Sequence, residues 1–397
     1  MKNLYNPKNL NLHVTSLCNN LCPVCFVKAK PASRSIEQRL TTEIMKRSIK
    51  ELNIINKQEG VVVFTGGEPT VRTMDVIEVL NYMQDNTPNL KSELFTNGGI
   101  IGATGDYKKR KQDLIDIAGT SKYNAKALVR LFKEKGVYKY NISIDTNHAQ
   151  LNESELNKVP LYCLKNLFDA LLGEGYGTDK LPIRILVGST PLDKEKSEEI
   201  IEVLMNYIGF ERQDNHRINS VYNRDDRTIV RYTIKSFSPI GRINKKIVTN
   251  KVSLEDKFKW SCKKLGNNPI NEGQMCRNSW HGPDIDFCGN LYFCGAQSWK
   301  LGNVYEEKMT DMIMRLNECD YNHPKYGKAI SILHIMKKLA SKSENNHCVG
   351  DLLRIMYEKE PKFVESLVKR TQPCWLISRD EKLQDLIISN FNNLLYS

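Results

Sequence analysis

The 397-residue sequence has no apolar run of the ~18 residues that a membrane span needs. Its N-terminus lacks the positive-then-apolar pattern of a secretory signal. A soluble, cytoplasmic protein with no membrane partner is therefore expected. No internal repeat or low-complexity tract is present. A net charge of +12 is compatible with nucleic acid, an anionic substrate or an acidic partner. However, there is no zinc knuckle, RNA-binding aromatic signature or Arg-rich tail, and lysines and arginines are spread out, with short runs such as Lys108-Lys109-Arg110-Lys111. A solvated basic surface is the simpler reading, and a nucleic-acid partner is not expected. A metal-stabilised nucleic-acid binder is the distant alternative.

The most informative absence is a fourth cysteine beside Cys18, Cys22 and Cys25. These three stand in a C-x3-C-x2-C pattern directly after a short apolar run that reads as a strand. Three thiolates on one tight loop can hold three corners of an iron–sulfur cube, which normally takes four cysteines. The missing ligand leaves one iron open to a substrate or cofactor. Zinc is the alternative, but it would want a fourth protein ligand nearby; His13 reads as a packed strand residue. Eleven cysteines in a cytosolic chain of this size point to metal or redox chemistry rather than disulfides.

Downstream, helical and strand patterns alternate. Thr41 or Thr42 caps a helix reaching about Asn56, and Val61–Phe64 reads as a buried parallel strand. Helix is expected over Arg72–Asp85, Asn124–Lys135, Leu161–Leu172 and Lys194–Ile208. Strand is expected over Lys91–Thr96, Tyr138–Asp145, Ile183–Ser189 and Thr228–Ser236. This rhythm implies right-handed βαβ units and a parallel sheet, an α/β fold. Residues 99–123 read as a polar insertion.

Ligands of parallel α/β folds bind at the carboxyl ends of the strands, where several motifs fall. Gly66-Gly67-Glu68-Pro69 follows the second strand; paired glycines let backbone approach a ligand, and Glu68 adds a carboxylate. Phe95-Thr96-Asn97-Gly98 ends the third. Ser143 and Asp145, on one face of the fourth, need polar partners. Arg184 lies in the fifth, and His148 is a loop histidine.

After Gly241-Arg242 the alternation stops and cysteines become dense. Asp284–Phe293 reads as a hairpin about a Gly-Asn turn, which would bring Cys276 and Cys294 near one metal. Helices are expected over Lys325–Ala340 and Leu352–Lys369. Cys163 reads as an inert packed residue.

The cysteine loop followed by Phe26, with Gly66-Gly67-Glu68-Pro69 downstream, resembles the radical SAM superfamily. The resemblance implies a partial (β/α)6 barrel over residues 1–245. It implies a [4Fe-4S] cluster on Cys18, Cys22 and Cys25, whose open iron is chelated by S-adenosylmethionine (SAM), and reductive cleavage of SAM to a 5′-deoxyadenosyl radical that abstracts hydrogen from a substrate. SAM contacts are carried onto Phe26, Gly66, Gly67, Glu68, Asn97, Ser143, Asp145 and Arg184. Ser238–Arg242 and the Cys276…Gly289…Cys294 spacing resemble twitch and SPASM auxiliary domains. That implies a twitch-like α+β domain over 250–397 with C-terminal helices and a second, auxiliary [4Fe-4S] cluster on Cys276, Cys294 and Cys348. Its fourth ligand is Asp351, Cys262, Cys319 or an open position. Expected partners are a low-potential electron donor such as a flavodoxin or ferredoxin, and a substrate. The substrate is a ribosomally made peptide or a small polar molecule such as an aminocyclitol or sugar. Residues 1–11 are too short for the precursor-recognition domain of some peptide-modifying members. No residue is assigned a catalytic proton or radical role.

Overall fold

The computed structural model describes residues 5–22, 25, 27–29, 37–150, 155–188, 194–213, 219–234, 282–293, 297–342, 350–368 and 377–395. The strands are β1 (Asn9–His13), β2 (Gly60–Thr65), β3 (Leu90–Thr96), β4 (Val137–Ser143), β5 (Ala149–Gln150), β6 (Val159–Pro160), β7 (Ile183–Gly188), β8 (Glu211–Gln213), β9 (Asn219–Arg224), β10 (Arg227–Ile234), β11 (Asp284–Ile285), β12 (Asn290–Tyr292) and β13 (Lys300–Asn303). Eleven of them form one open sheet in the order β13-β12-β11-β1-β2-β3-β4-β7-β10-β9-β8. Its central six, β1-β2-β3-β4-β7-β10, are all parallel, which is the expected α/β architecture, open as a partial barrel is. The antiparallel β8–β9–β10 end was not foreseen.

The crossover helices are α1 (Thr42–Ile55), α2 (Thr73–Asn86), the short α3 (Gly105–Arg110) and α4 (Gln112–Ile117), α5 (Ala125–Glu134), α6 (Leu161–Gly173) and α7 (Lys194–Ile208). Their starts follow local chemistry. Thr41 Oγ1 accepts from the Ile44 N–H at 3.3 Å, and Asn124 Oδ1 accepts from the Ala127 N–H at 2.9 Å, each satisfying one of the orphan donors of a first turn. Among the described residues no helix is long and apolar enough to cross a membrane.

The two faces of the sheet differ in chemistry. Leu10, Leu12, Val62, Phe64, Leu94, Tyr140, Ile142, Ile183 and Ile185 lie in register across five strands and are completely buried. Each such side chain contributes ~1.5–3 kcal/mol of hydrophobic stabilisation. The alternate positions are Asn11, His13, Thr65, Glu93, Lys139, Asn141 and Arg184. The Val61–Phe64 strand is apolar on both faces, whereas β1, β3, β4 and β7 carry buried or half-buried polar residues on this one. Glu93 Oε1 accepts from Lys139 Nζ at 2.8 Å and from Tyr138 Oη at 2.7 Å, and Oε2 from Asn141 Nδ2 at 2.8 Å. Burial alone would raise the Glu93 carboxyl; Lys139 and these bonds outweigh it and hold it below its ordinary range.

The Asp284–Phe293 hairpin forms as expected. Asp286 Oδ1 accepts from the N–H groups of Cys288 and Asn290, both at 2.9 Å, and Gly289 takes a left-handed φ of +81° at the turn. Its first strand, β11, pairs in parallel with β1, Asn11 opposite Asp284. The hairpin therefore extends the barrel sheet. Farther on, helices span Met309–Asn317, Gly327–Lys342, Gly350–Lys359, Pro361–Val368 and Glu381–Leu395. The single helix expected over Leu352–Lys369 breaks at Pro361, where the ring removes a donor. Glu51 of α1 caps the first of these helices, accepting from Met309 N at 2.6 Å.

His13 is buried, as expected of a strand residue, but is paired: its Nε2 lies 2.8 Å from Asp284 Oδ2. Burial, which lowers the imidazole's pKa, is outweighed by Asp284 and Asp286, which raise it. A pKa raised in the folded state adds stability below the ordinary histidine value, and that stability is lost as pH rises through the raised value. Chemical denaturation at a series of pH values should show this fall in wild type and a flatter profile in His13→Gln. At neutral pH Asp284→Asn should cost about 1–3 kcal/mol, the cost of an unsatisfied buried donor, because the imidazole can shed its proton rather than stay charged. An unchanged midpoint in both variants would show that the pair does not hold the hairpin to β1.

Candidate functional site

At the carboxyl end of the parallel strands the chain leaves β1 and enters the cysteine loop. The loop after β2 packs on it: Gly67 N donates to Thr15 O and Glu68 N to Leu17 O, both at 2.8 Å. A Cβ on Gly67 would meet Leu17 O at 2.1 Å, and Gly66 has φ +122°. The glycines thus serve close approach, but of one backbone to another.

Glu68 is buried and clasps this end of the sheet. Its Oε1 accepts from Thr70 N (3.2 Å), Thr70 Oγ1 (2.6 Å) and Thr96 Oγ1 (2.8 Å), and its Oε2 from Asn97 N (2.8 Å). Burial raises its pKa, opposed by those bonds. The carboxylate caps the 3-10 turn Pro69–Arg72 and ties the β2 loop to the end of β3. Asn97 in turn exchanges side-chain amide bonds with Asn19, at 2.8 and 3.0 Å, and its Nδ2 reaches Cys18 Sγ at 3.6 Å. Asn19 Nδ2 also donates to Tyr107 Oη at 2.7 Å.

Cys18 and Cys22 are buried, Cys25 is half-buried, and none of the three is in a disulfide. Burial pushes the Cys18 thiol well up, and nearby Cys22, Glu68 and Cys25 add to the shift. Cys22 Sγ donates to Asn147 O at 3.3 Å, and Cys25 Sγ accepts from Ala29 N at 3.2 Å. Asp145 was expected on the β4 strand face with Ser143. The strand stops at Ser143, and Asp145 turns the chain instead: Oδ1 accepts from Asn147 N and contacts His148 Nδ1, both at 2.8 Å. This short-range carboxylate bonding competes with strand continuation. Burial lowers the His148 pKa, but Asp145 and Cys22 outweigh it and set it well above its ordinary value. The histidine is therefore an ion-paired neighbour of the cysteine loop rather than a solvated residue.

The structure brings Cys18, Cys22, Cys25, Gly66, Gly67, Glu68, Asn97 and Asp145 to one place. Ser143 ends β4 beside them, opposite Leu186. Arg184 lies lower, opposite Asn141, and its charge is felt at Tyr138 and Lys139. Phe26, Cys276, Cys294 and Cys348, and Cys262 and the Ser238–Arg242 segment with them, lie outside the described residues. Asn19 and Tyr107 were missed as site residues. Asn19 follows Cys18 directly, which was a usable signal. Tyr107 lies in the 99–123 stretch, whose short helices bury it completely; nothing local announces its long-range bond.

Among the described residues no three Cys, His, Asp or Glu groups are gathered closely enough to share one metal ion. Three thiols spread along one loop suit the corners of a cluster better than the closed tetrahedron of zinc. Beside them Asn20 Oδ1, Thr146 Oγ1 and Asn147 Nδ2 are buried with no hydrogen-bond partner. Such orphans are costly unless a ligand or water satisfies them. The residues present therefore fit a bound iron–sulfur cluster with a polar cofactor.

Comparison with known proteins agrees. Residues 12–154 match the Radical SAM superfamily. Over 102 residues the chain is 33% identical to 7,8-dihydro-6-hydroxymethylpterin dimethyltransferase of Methanocaldococcus jannaschii, a match covering 26% of this chain and 19% of that protein. The chain thus spans about a fifth of the length of that curated relative. Among solved structures it is similar to anSMEcpe with bound AdoMet and a peptide, at 12% identity and TM-score 0.46, covering 98% of this chain and 97% of that one. It is also similar to BtrN with AdoMet and 2-DOIA (14%, TM-score 0.40, 86% and 91% covered) and to coproporphyrinogen III oxidase of Escherichia coli (10%, TM-score 0.40, 97% and 91%). The cysteine loop, the Gly66-Gly67-Glu68 turn and Asp145 all lie inside the segment, residues 12–154, that is similar to the Radical SAM superfamily.

Proposed function

We propose that this protein cleaves SAM reductively and uses the resulting 5′-deoxyadenosyl radical to abstract hydrogen from a substrate. The supporting observation is the convergence of the three-cysteine loop with the Glu68 clasp and with Asp145, among buried polar atoms that have no partner in the protein. Cys18, Cys22 and Cys25 would hold a [4Fe-4S] cluster, which supplies one electron to SAM. The protein's own groups do the rest. Asn97 and Asn20 N–H groups point at Cys18 Sγ and temper its charge. Glu68 fixes the spacing of the β2 and β3 loops. Buried Asn20, Thr146 and Asn147 offer one acceptor oxygen, one hydroxyl and one donor amide to a polar cofactor. His148, held by Asp145, places a proton beside Cys22.

The substrate reading is a ribosomally made peptide, modified at carbon, with electrons from a flavodoxin or ferredoxin in the cytoplasm. A small polar substrate is the second reading. It is favoured by the buried polar cluster of Glu93, Lys139 and Asn141, where Asn141 Oδ1 has no partner. The test of the activity is anaerobic incubation of reconstituted protein with SAM and a strong reductant, followed by chromatography for 5′-deoxyadenosine. Product above a cluster-free control is expected; none, from protein that contains its cluster, would refute the reading.

A further inference from the structure

Far along the chain from the cysteine loop, Cys319 and His334 form a pair that the radical chemistry does not use. Helix Met309–Asn317 ends in a Schellman turn: Cys319 N donates to Leu316 O at 3.4 Å and Asp320 N to Arg315 O at 3.2 Å. The residue at this position must take a left-handed conformation, normally supplied by glycine; here it is Cys319, at φ +63°. The turn aims the half-buried thiol at the next helix, where Cys319 Sγ lies 3.4 Å from His334 Nδ1. The other ring nitrogen, Nε2, is 2.9 Å from Leu316 O, a carbonyl that can only accept. Nε2 therefore carries the proton, and Nδ1 faces the thiol as a base. Tyr321 Oη also approaches Nδ1, at 3.2 Å. A neutral imidazole has one lone pair there, so thiol and hydroxyl compete for it. Nucleophile, base within hydrogen-bond reach, and a third group orienting the base are the elements of an activated thiol.

We propose that Cys319 is a nucleophilic thiol, with His334 as its base, that undergoes exchange with small-molecule disulfides. His334 Nδ1 takes the thiol proton and Cys319 Sγ attacks one sulfur of the disulfide. The S–S bond breaks, a Cys319 mixed disulfide forms, and the displaced thiolate leaves with the proton as a free thiol. One sulfur is oxidised and one reduced, so the small-molecule disulfide is the only co-reactant. Loss of the S–H also ends the competition at Nδ1, leaving the lone pair to Tyr321.

Two other cysteines provide internal references. Cys163 is completely buried. Cys288 is half-buried like Cys319, burial and Asp286 raise its pKa, and none of its contacts among the described residues is to an imidazole. Full-length, cluster-loaded protein would be incubated anaerobically at neutral pH with oxidised glutathione, and each cysteine followed by peptide mass spectrometry. Cys319 should be modified much faster than Cys288, with Cys163 untouched. His334→Gln should slow Cys319 by about a hundredfold, the scale of a lost general base. Tyr321→Phe keeps the ring, so it checks for misfolding, and should speed the reaction. Equal rates at Cys319 and Cys288, or a His334→Gln rate like wild type in folded protein, would overturn the proposal. So would a fall in bound iron in Cys319→Ser, which would make Cys319 a cluster ligand instead. None of these outcomes depends on SAM cleavage.

Discussion

Replacing Cys18, Cys22 and Cys25 together by alanine should abolish 5′-deoxyadenosine formation. If the later cysteines hold a second cluster, the variant should keep about half its iron and the broad visible absorption of a cluster. The effect on activity is all-or-none because the three thiols are the only protein ligands proposed for the first cluster. The cost in stability is smaller: Asn20 N, Asn97 Nδ2 and Ala29 N lose sulfur acceptors, and these are long, weak bonds. Iron analysis, visible absorption and circular dichroism on one sample read all three consequences. Residual SAM cleavage in the variant would refute the assignment of the loop. Iron at background in folded protein would show that the later cysteines hold none. Conversely, replacing Cys276 and Cys294 should remove the other half of the iron, and with it the stability that a bound metal adds.

Glu68→Ala is expected to be among the most destabilising single substitutions. It removes the acceptor from Thr70 N and Asn97 N, both buried backbone donors, and from two threonine hydroxyls. The hydroxyls can turn to other partners; the two N–H groups cannot. At about 1–3 kcal/mol for each unsatisfied buried donor, the loss is roughly 2–6 kcal/mol. Glu68→Gln keeps one oxygen and should cost about 1–3 kcal/mol. Denaturant midpoints measure both. SAM affinity of the glutamine variant separates the two roles open to this residue. If the carboxylate also receives the SAM ammonium, affinity should drop roughly ten- to a hundredfold. If Glu68 only clasps the loops, affinity should change little while stability falls. Wild-type midpoints in both variants would exclude the clasp.

What could be read in advance was what short-range chemistry decides. The N-cap of α1, the strands β2 and β3 and the Asp284–Phe293 hairpin all follow from neighbours in the chain, and so does the crowding of Cys18, Gly67 and Asn97 at the strand ends. What could not be read was set by distant partners. Asp145 looked like a strand residue until its bonds to Asn147 and His148 turned it aside. The clasp that Glu68 forms was not legible because its four donors come partly from the end of β3. Residues 99–123 read as a polar insertion, but nothing local showed that Tyr107 within them reaches back to Asn19. Arg184 stands opposite Asn141, a height on the strand that only register reveals.

The pairing of β11 with β1 bears on how the chain is made. During synthesis β1 emerges shortly before β2 and finds it soon after, but its other edge must wait for β11 at Asp284–Ile285. Throughout that interval the strand leading into the cysteine loop offers unpaired N–H and C=O groups to any passing strand. The buried His13 imidazole likewise waits for Asp284. Closure of that edge is among the longest-range events in the fold and therefore among the slowest. Nascent chains stalled before residue 284 should be the aggregation-prone species, whereas chains released past the hairpin should be protected along β1 from hydrogen exchange.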